Sequence, residues 1–384
     1  MPTNWSYRLR EWRRVNDLTQ VDAAETLAKL AWVRDGRRVG INADMVSKWE
    51  RGLKEPSRIY RGLIDAASRE GQLAAPSVAV EAPQIELPVG RLTPEMVTFM
   101  DDLLNSYTRA DNALGPAYLL RVASQHVLGL EPLLAGANGQ LRRRGLRLCS
   151  RFAEFAGWLS QDAGDLAAAE HWTDRALDFV EEDDDPSLRA YILMRKSGIA
   201  ADRHDHGRSV SLAIAASRQV DALSLRLRAL TLRQCAISHA LAHDEGESER
   251  AAQQALAVEI PVAERGEPFS YCTPSYVAME SGASAFKLGR HDLAAERLTQ
   301  AAATWPESGF ARDHGLCLAR LALVDAARGK VEEACLVGED AIALTRVADS
   351  ARTRGVLLSL TQRLAPYDRV ALVSEFRSEL ATLG

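Results

Sequence analysis

Along residues 42–53 the apolar side chains Met45, Val46, Trp49 and Leu53 recur three or four positions apart, with Ala43, Asp44, Ser47, Lys48 and Arg51 between them. At about 100° per residue the two sets fall on opposite faces of one short helix. Asn42 can cap its start, because its side-chain oxygen can accept from a first-turn amide. Gly52 can take the left-handed conformation that ends it. The same periodicity predicts a first helix over residues 6–16, with Leu9 and Trp12 inward. A second begins at Gln20, capped by Thr19, with Ala24 small enough for a close crossing. A further helix starts at Pro56-Ser57, with Ile59, Leu63, Ile64 and Ala67 inward. These helices make a small domain of residues 1–72.

Residues 73–93 carry Pro76, Pro83 and Pro88 and no helical stripe. They form either a linker or an extended segment in which Val78, Val80, Ile85 and Leu87 pack on one domain. From Pro94 onward a longer period takes over. Short interruptions stand at Gly164, His204, His243, Gly289 and Gly329, at spacings of 40, 39, 46 and 40 residues. Five residues after each comes a small residue: Ala169, Ser209, Ser248, Ala294 and Ala334. Seven further on comes alanine every time: Ala176, Ala216, Ala255, Ala301 and Ala341. Small residues at fixed positions let two antiparallel helices approach closely, as a stack of helical hairpins requires. Residues 94–132 are expected to form an irregular first hairpin and residues 366–384 a capping helix. The acidic run at 181–186 is expected to be a solvated turn.

Two stretches carry a family resemblance. Leu18-Thr19-Gln20, then Val46-Ser47-Lys48-Trp49-Glu50-Arg51-Gly52, then Pro56-Ser57 resemble the phage-repressor (XRE, Cro-type) helix-turn-helix family. The resemblance implies that Gln20 grips a phosphate and that Ala43, Asp44, Ser47 and Lys48 face the bases. It also implies that Glu50 is structural, pairing with an arginine of the first helix such as Arg10. Asn42 and Arg51 flank that face. Taking Ala28 as the usual turn glycine leaves a surplus at residues 30–40, which either lengthens the second helix or forms a small wing. Arg37 and Arg38 would then lie near the DNA backbone. The second resemblance is to the tetratricopeptide (TPR) repeat. It is carried by Gly282, Gly289-Arg290-His291-Asp292-Leu293-Ala294-Ala295, Ala301 and Pro306, and again by Gly157, Gly164-Asp165-Leu166, Ala169 and Ala176. The expected fold is all-α: a helix-turn-helix domain (1–72), a linker (73–93) and a TPR-like α-solenoid (94–384). Its concave wall would present Arg151, Glu154, Trp158, Tyr191, Met194, Arg233, Tyr276 and Met279 as a ligand groove, or else Trp158 and the two methionines pack between repeats.

Charge sharpens this division. The net charge is −5 overall, yet residues 1–72 hold fourteen Lys and Arg against ten Asp and Glu. The N-terminal part is therefore basic and suits phosphate, while the remainder is acidic. The five cysteines are scattered without a CxxC pair, as expected of reduced core residues. No apolar run reaches roughly eighteen residues, and the N-terminus has no signal core, so a cytoplasmic protein without membrane contact is expected. His204-Asp205-His206 lacks a third ligand at metal-site spacing. With no phosphate loop, nucleophile elbow or HExxH, neither enzyme activity nor a metal or cofactor is expected. The domain order is similar to a group of bacterial transcription regulators. It implies a homodimer on double-stranded DNA, with a peptide, small molecule or protein partner in the groove. The rival functions are a TPR-type adaptor and an antitoxin-like autorepressor.

Overall fold

The computed structural model describes residues 9–10, 12–14, 18–35, 39–51, 53–57, 60–64, 67, 90–114, 116–262, 267, 269–305, 310–348 and 350–383. The chain divides into two compact units, 1–87 and 88–384. Among the described residues all regular structure is helical, and no helix is long and apolar enough to cross a membrane.

In the first unit α1 (Gln20–Asp35) packs on α2 (Ala43–Glu50). Thr19 and Asp22 cap the start of α1 reciprocally. Thr19 N donates to Asp22 Oδ2 at 2.9 Å, and Asp22 N donates to Thr19 Oγ1 at 3.2 Å, which satisfies two amides at that terminus. Asn42 Oδ1 accepts from Met45 N at 3.0 Å and so caps α2. The core joins Leu9, Trp12, Leu27, Val46, Trp49, Leu63 and Ile64. Leu53 departs from expectation. The helix ends at Glu50, so the periodicity no longer directs Leu53, and it is 68% exposed. The surplus departs from the usual pattern by lengthening α1, which runs on through residues 30–35. Residues 36–38, with Arg37 and Arg38, lie outside the described residues, as does most of the expected linker.

The second unit begins with α3 (Pro94–Leu114), α4 (Pro116–Leu134), α5 (Gly139–Asp162), α6 (Leu166–Asp183), α7 (Pro186–Asp202), α8 (His206–Ser217) and α9 (Leu225–Leu241). It continues with α10 (Glu245–Leu256), α11 (Pro274–Lys287), α12 (His291–Ala303), α13 (Ala311–Ala327), α14 (Val331–Val347), α15 (Ala351–Arg363) and α16 (Ala371–Ala381). From α5 to α14 the helices pair as hairpins, α5 with α6 through α13 with α14. The first helix of each hairpin also packs on the first helix of the next, and α13 on α15.

The small residues explain these approaches. Ala169, Ser209, Ser248, Ala294 and Ala334 are buried, as are the five alanines seven positions beyond them. A methyl group at Gly157 would stand 2.5 Å from Thr173 Oγ1 and 3.2 Å from Ala169 O, so only hydrogen lets α5 lie this close to α6. Each hairpin turn has one left-handed residue, and these are Gly164, His204, His243, Gly289 and Gly329, with φ between 59° and 84°. The residue after it reaches back over the helix end each time, as in Asp165 N to Ser160 O and Asp205 N to Ala200 O, both at 2.9 Å. The backbone demands this turn whether or not glycine supplies it.

The acidic run is more than a solvated turn. Arg142 binds Glu182, Arg189 binds Glu181, and Arg147 binds Asp183, whose side chain is fully buried. Asp185 caps α7 through Ser187 N and Leu188 N, both at 3.0 Å. The run thus fastens three successive helices, a role its composition alone conceals. All five cysteines are buried and unpaired.

His204 and His243 bear a side-chain clash in the left-handed conformation that glycine avoids. Replacing either with Gly is expected to stabilise the chain by about 0.5–1 kcal/mol. Thermal melts of His204→Gly and His243→Gly check this. A lower melting temperature for both would show that the imidazoles outweigh the strain.

Candidate functional site

The first helices of the hairpins line a single large chamber of about 1230 Å³. Its wall comes from α5, α7, α9, α11, α13 and α15, with Asp111 of α3 and the segment Phe269–Tyr271 closing gaps. What makes it a chamber is contact between distant parts of the chain. Arg312 on α13 donates to Asp111 Oδ2 at 2.6 Å and to Asp111 O at 2.9 Å, across 201 residues. Arg312 Nη1 also lies 3.4 Å from Asp162 Oδ2. Asp162, with no exposed surface, accepts from Ser350 Oγ at 3.3 Å and Arg352 Nε at 3.4 Å. Helices α13 and α15 are thereby tied to α3 and α5.

Next to this closure the guanidinium carbons of Arg352 and Arg195 stand 4.5 Å and 5.0 Å from the Trp158 ring centroid. The Trp158 indole donates to Asp111 Oδ2 at 3.1 Å. Two cations and a hydrogen bond therefore hold this ring. Arg195 Nε donates to Glu154 Oε1 at 2.8 Å, which also accepts from Tyr191 Oη at 3.2 Å. Arg320 donates to Glu280 Oε1 at 2.7 Å. The opposite character appears around Tyr191 and Phe269, with ring centroids 4.6 Å apart, and around Tyr271 and Tyr276, edge to face at 5.4 Å.

Burial and these charges set the titration of the chamber. Burial raises Asp313 above its ordinary value, although Arg352 opposes it. Burial pushes Glu280 the same way, but Arg320 and Arg233 together hold it below its ordinary value. Burial raises the phenols of Tyr191 and Tyr271 and pushes Tyr276 up to about 12.

Six of the eight expected groove residues line the chamber: Arg151, Glu154, Trp158, Tyr191, Arg233 and Tyr276. Met194 and Met279 do not. They are 1% and 0% exposed within the core between hairpins, because their helices bury the faces that meet the neighbouring hairpin. Met194 still touches the site from behind, its sulfur accepting from Arg233 Nη2 at 3.4 Å. Arg151 sits at the edge, bound to Asp101 and to Asn105. Arg195, Arg312, Arg320, Arg352, Asp111, Asp162 and Glu280 also build the site, and no motif marks them in the sequence. Two of their pairs carry a readable signal: Glu154 and Arg195, and Glu280 and Arg320, are opposite charges one hairpin period apart, at 41 and 40 residues.

In the first unit α2 presents a polar face. Asp44, Lys48 and Arg51 are exposed and Ala43 and Ser47 half-buried, and Lys48 Nζ meets Asp44 Oδ2 at 2.6 Å. Glu50 is buried, 4% exposed. It pairs with an arginine of the first helix, as expected: Arg13 Nε donates to Glu50 Oε1 at 2.7 Å. Gln20, expected at a phosphate, donates to Glu50 Oε2 at 2.8 Å. The pairing follows from proximity, since Arg13 also binds Leu18 O at 2.8 Å just before Gln20. Among the described residues no group of His, Cys, Asp and Glu could hold a metal ion. Comparison of the chain with protein-family models and with curated proteins gave no match.

The raised phenols have a stability consequence. Unfolded tyrosines lose their protons near pH 10, the ordinary value, before the folded ones do. Stability is therefore expected to fall as pH rises past 10, by about 2–3 kcal/mol in all for Tyr276 alone, reached as pH passes about 12. Phenolate absorbance of the native chain against the urea-unfolded chain checks this. Equal titration of all tyrosines in both states would contradict it.

Proposed function

We propose that this chain is a sequence-specific DNA-binding transcription regulator. In this reading the first unit is an XRE-type helix-turn-helix domain, and the second is a TPR-like solenoid curved into a signal chamber. The observation that carries it is the mounting of α2. Its inner side is fixed by Val46, Trp49 and the buried Glu50, which Arg13 and Gln20 both hold. Its outer side offers Asp44, Ser47, Lys48 and Arg51. Base readout needs short polar side chains on a rigid helix, because a loose platform loses the bidentate geometry that separates one base pair from another. The Glu50 anchor supplies rigidity without spending the outer face. The basic balance of residues 1–72 favours phosphates.

The chamber supports control by a bound signal over control by a docked protein. A protein adaptor works from an open concave surface, whereas here Arg312 and Arg352 join the two ends of the wall. A signal that touches several hairpins changes their curvature only if it binds one curvature better than another. As a homodimer the chain would place two copies of α2 on a pseudo-palindromic site with half-sites about 34–36 Å apart.

Selection of binding sites from random duplex DNA by the full chain tests this. The expected result is an enriched two-fold motif, bound with marked salt dependence. On that motif Lys48→Ala is expected to cost about 1–3 kcal/mol and to relax preference at one position per half-site. Arg51→Ala is expected to lower the salt slope by about one with little change in preference. No enriched sequence would refute the proposal, and unchanged preference in Lys48→Ala would refute this choice of reading face.

A further inference from the structure

Five arginines line the chamber wall: Arg195, Arg233, Arg312, Arg320 and Arg352. Four have a carboxylate partner, at 2.8 Å (Glu154), 2.6 Å (Asp111), 2.7 Å (Glu280) and 3.4 Å (Asp162) respectively. Arg233 has no carboxylate at ion-pair distance among the described residues. Its Nη1 donates to Gln234 Oε1 at 2.8 Å, and its Nη2 to Met194 Sδ at 3.4 Å. Its central carbon lies 5.6 Å from the Tyr276 ring centroid, and its Nε is buried without a hydrogen-bond partner. An amide, a thioether and a ring face are all neutral. An arginine cannot escape by losing its proton, and Glu280, the carboxylate that shares its field, is paired with Arg320, so the half-buried guanidinium of Arg233 is left able to take an anion that enters the chamber.

The surroundings limit what that anion is. Glu280, whose low titration depends partly on Arg233, keeps a negative charge on the same wall. A dianion would meet that repulsion with only one unpaired guanidinium to offset it. A single negative charge matches the site. Beside Arg233 the wall turns aromatic, with Tyr191 against Phe269 and Tyr271 against Tyr276. Flat rings packed this way accept another flat ring at their faces and edges. A chamber of about 1230 Å³ is ample for a small organic molecule.

We infer that the chamber binds an aromatic monoanion, with its acid group on Arg233 and its rings against Tyr191, Phe269, Tyr271 and Tyr276. This rests on reading the chamber as the signal site. It excludes highly charged phosphates as ligands and makes Arg233 the residue that selects acid over neutral analogue. The paired arginines keep their carboxylates, so the wall does not have to rearrange to receive the charge.

Two fluorescent compounds that share a ring system test the inference on the full chain. Anilinonaphthalene sulfonate is an aromatic monoanion, and phenylnaphthylamine has the same rings without the acid. The expected result is one sulfonate bound per chain, about tenfold or more tighter than the neutral compound, and displaced by naphthoate. Arg233→Gln should erase that preference while leaving binding of the neutral compound in place, and Arg233→Lys should restore part of it. Circular dichroism and thermal melting establish that each variant is folded. Should Arg233→Gln fail to fold, the wild-type preference and the Arg233→Lys value decide the matter. Equal affinity of the wild-type chain for the two compounds overturns the inference, as does a preference that survives Arg233→Gln. Displacement by an acidic peptide but not by naphthoate overturns it too. DNA plays no part in this titration, so its failure leaves the DNA-binding proposal standing, and loss of that proposal leaves the titration intact.

Discussion

A guanidinium withdrawn from water keeps its charge, so a fold that buries one has to bring an anion to it. In the second unit this requirement sets the architecture at its farthest-separated contact. Arg312 and Asp111 are 4% and 7% exposed and meet across 201 residues. Asp162, with no exposed surface, gathers Arg312, Arg352 and Ser350 from two later helices. A hairpin stack alone could remain open, because each hairpin needs only its neighbours to bury its apolar face. The ion network adds a contact that neighbour packing does not supply, and it turns a concave wall into a chamber. Removing one partner would leave a buried charge without its counter-ion, so the network is expected to form as a whole or not at all.

How much of this could be read from the sequence depends on the range of the interaction. The turns were legible because they are local: five left-handed residues fall where the 40-residue period placed them, at Gly164, His204, His243, Gly289 and Gly329. The close helix pairs were legible because they need small residues, and those residues are buried. Most of the groove face was legible for the same reason, since one face of each first helix repeats with the hairpins. For Met194 and Met279 the sequence left groove and packing open, and both pack. An apolar side chain at the edge of a helix face packs inward or lines a cavity according to how far the neighbouring helix rotates. The Asp111–Arg312 contact was not legible at all, because it depends on small inter-hairpin rotations added over the whole array. In the first unit the capping by Thr19, Asp22 and Asn42 followed from local chemistry. That Glu50 takes an arginine of the first helix was legible too, but which one depended on the relative placement of two helices.

These two ranges of interaction meet in the chamber. Short-range repetition builds its wall, and the long-range ion network fixes its curvature, so anything that binds inside acts on both. The closed curvature of the array therefore depends on the Asp111–Arg312 contact, and a double-mutant cycle measures it most directly. Unfolding free energies of the wild-type chain, Asp111→Asn, Arg312→Gln and the double variant give the coupling between the two positions. Closure of the array predicts a coupling of about 2–3 kcal/mol. Additivity within about 0.5 kcal/mol would mean that the two residues do not meet, and the chamber would be an open groove.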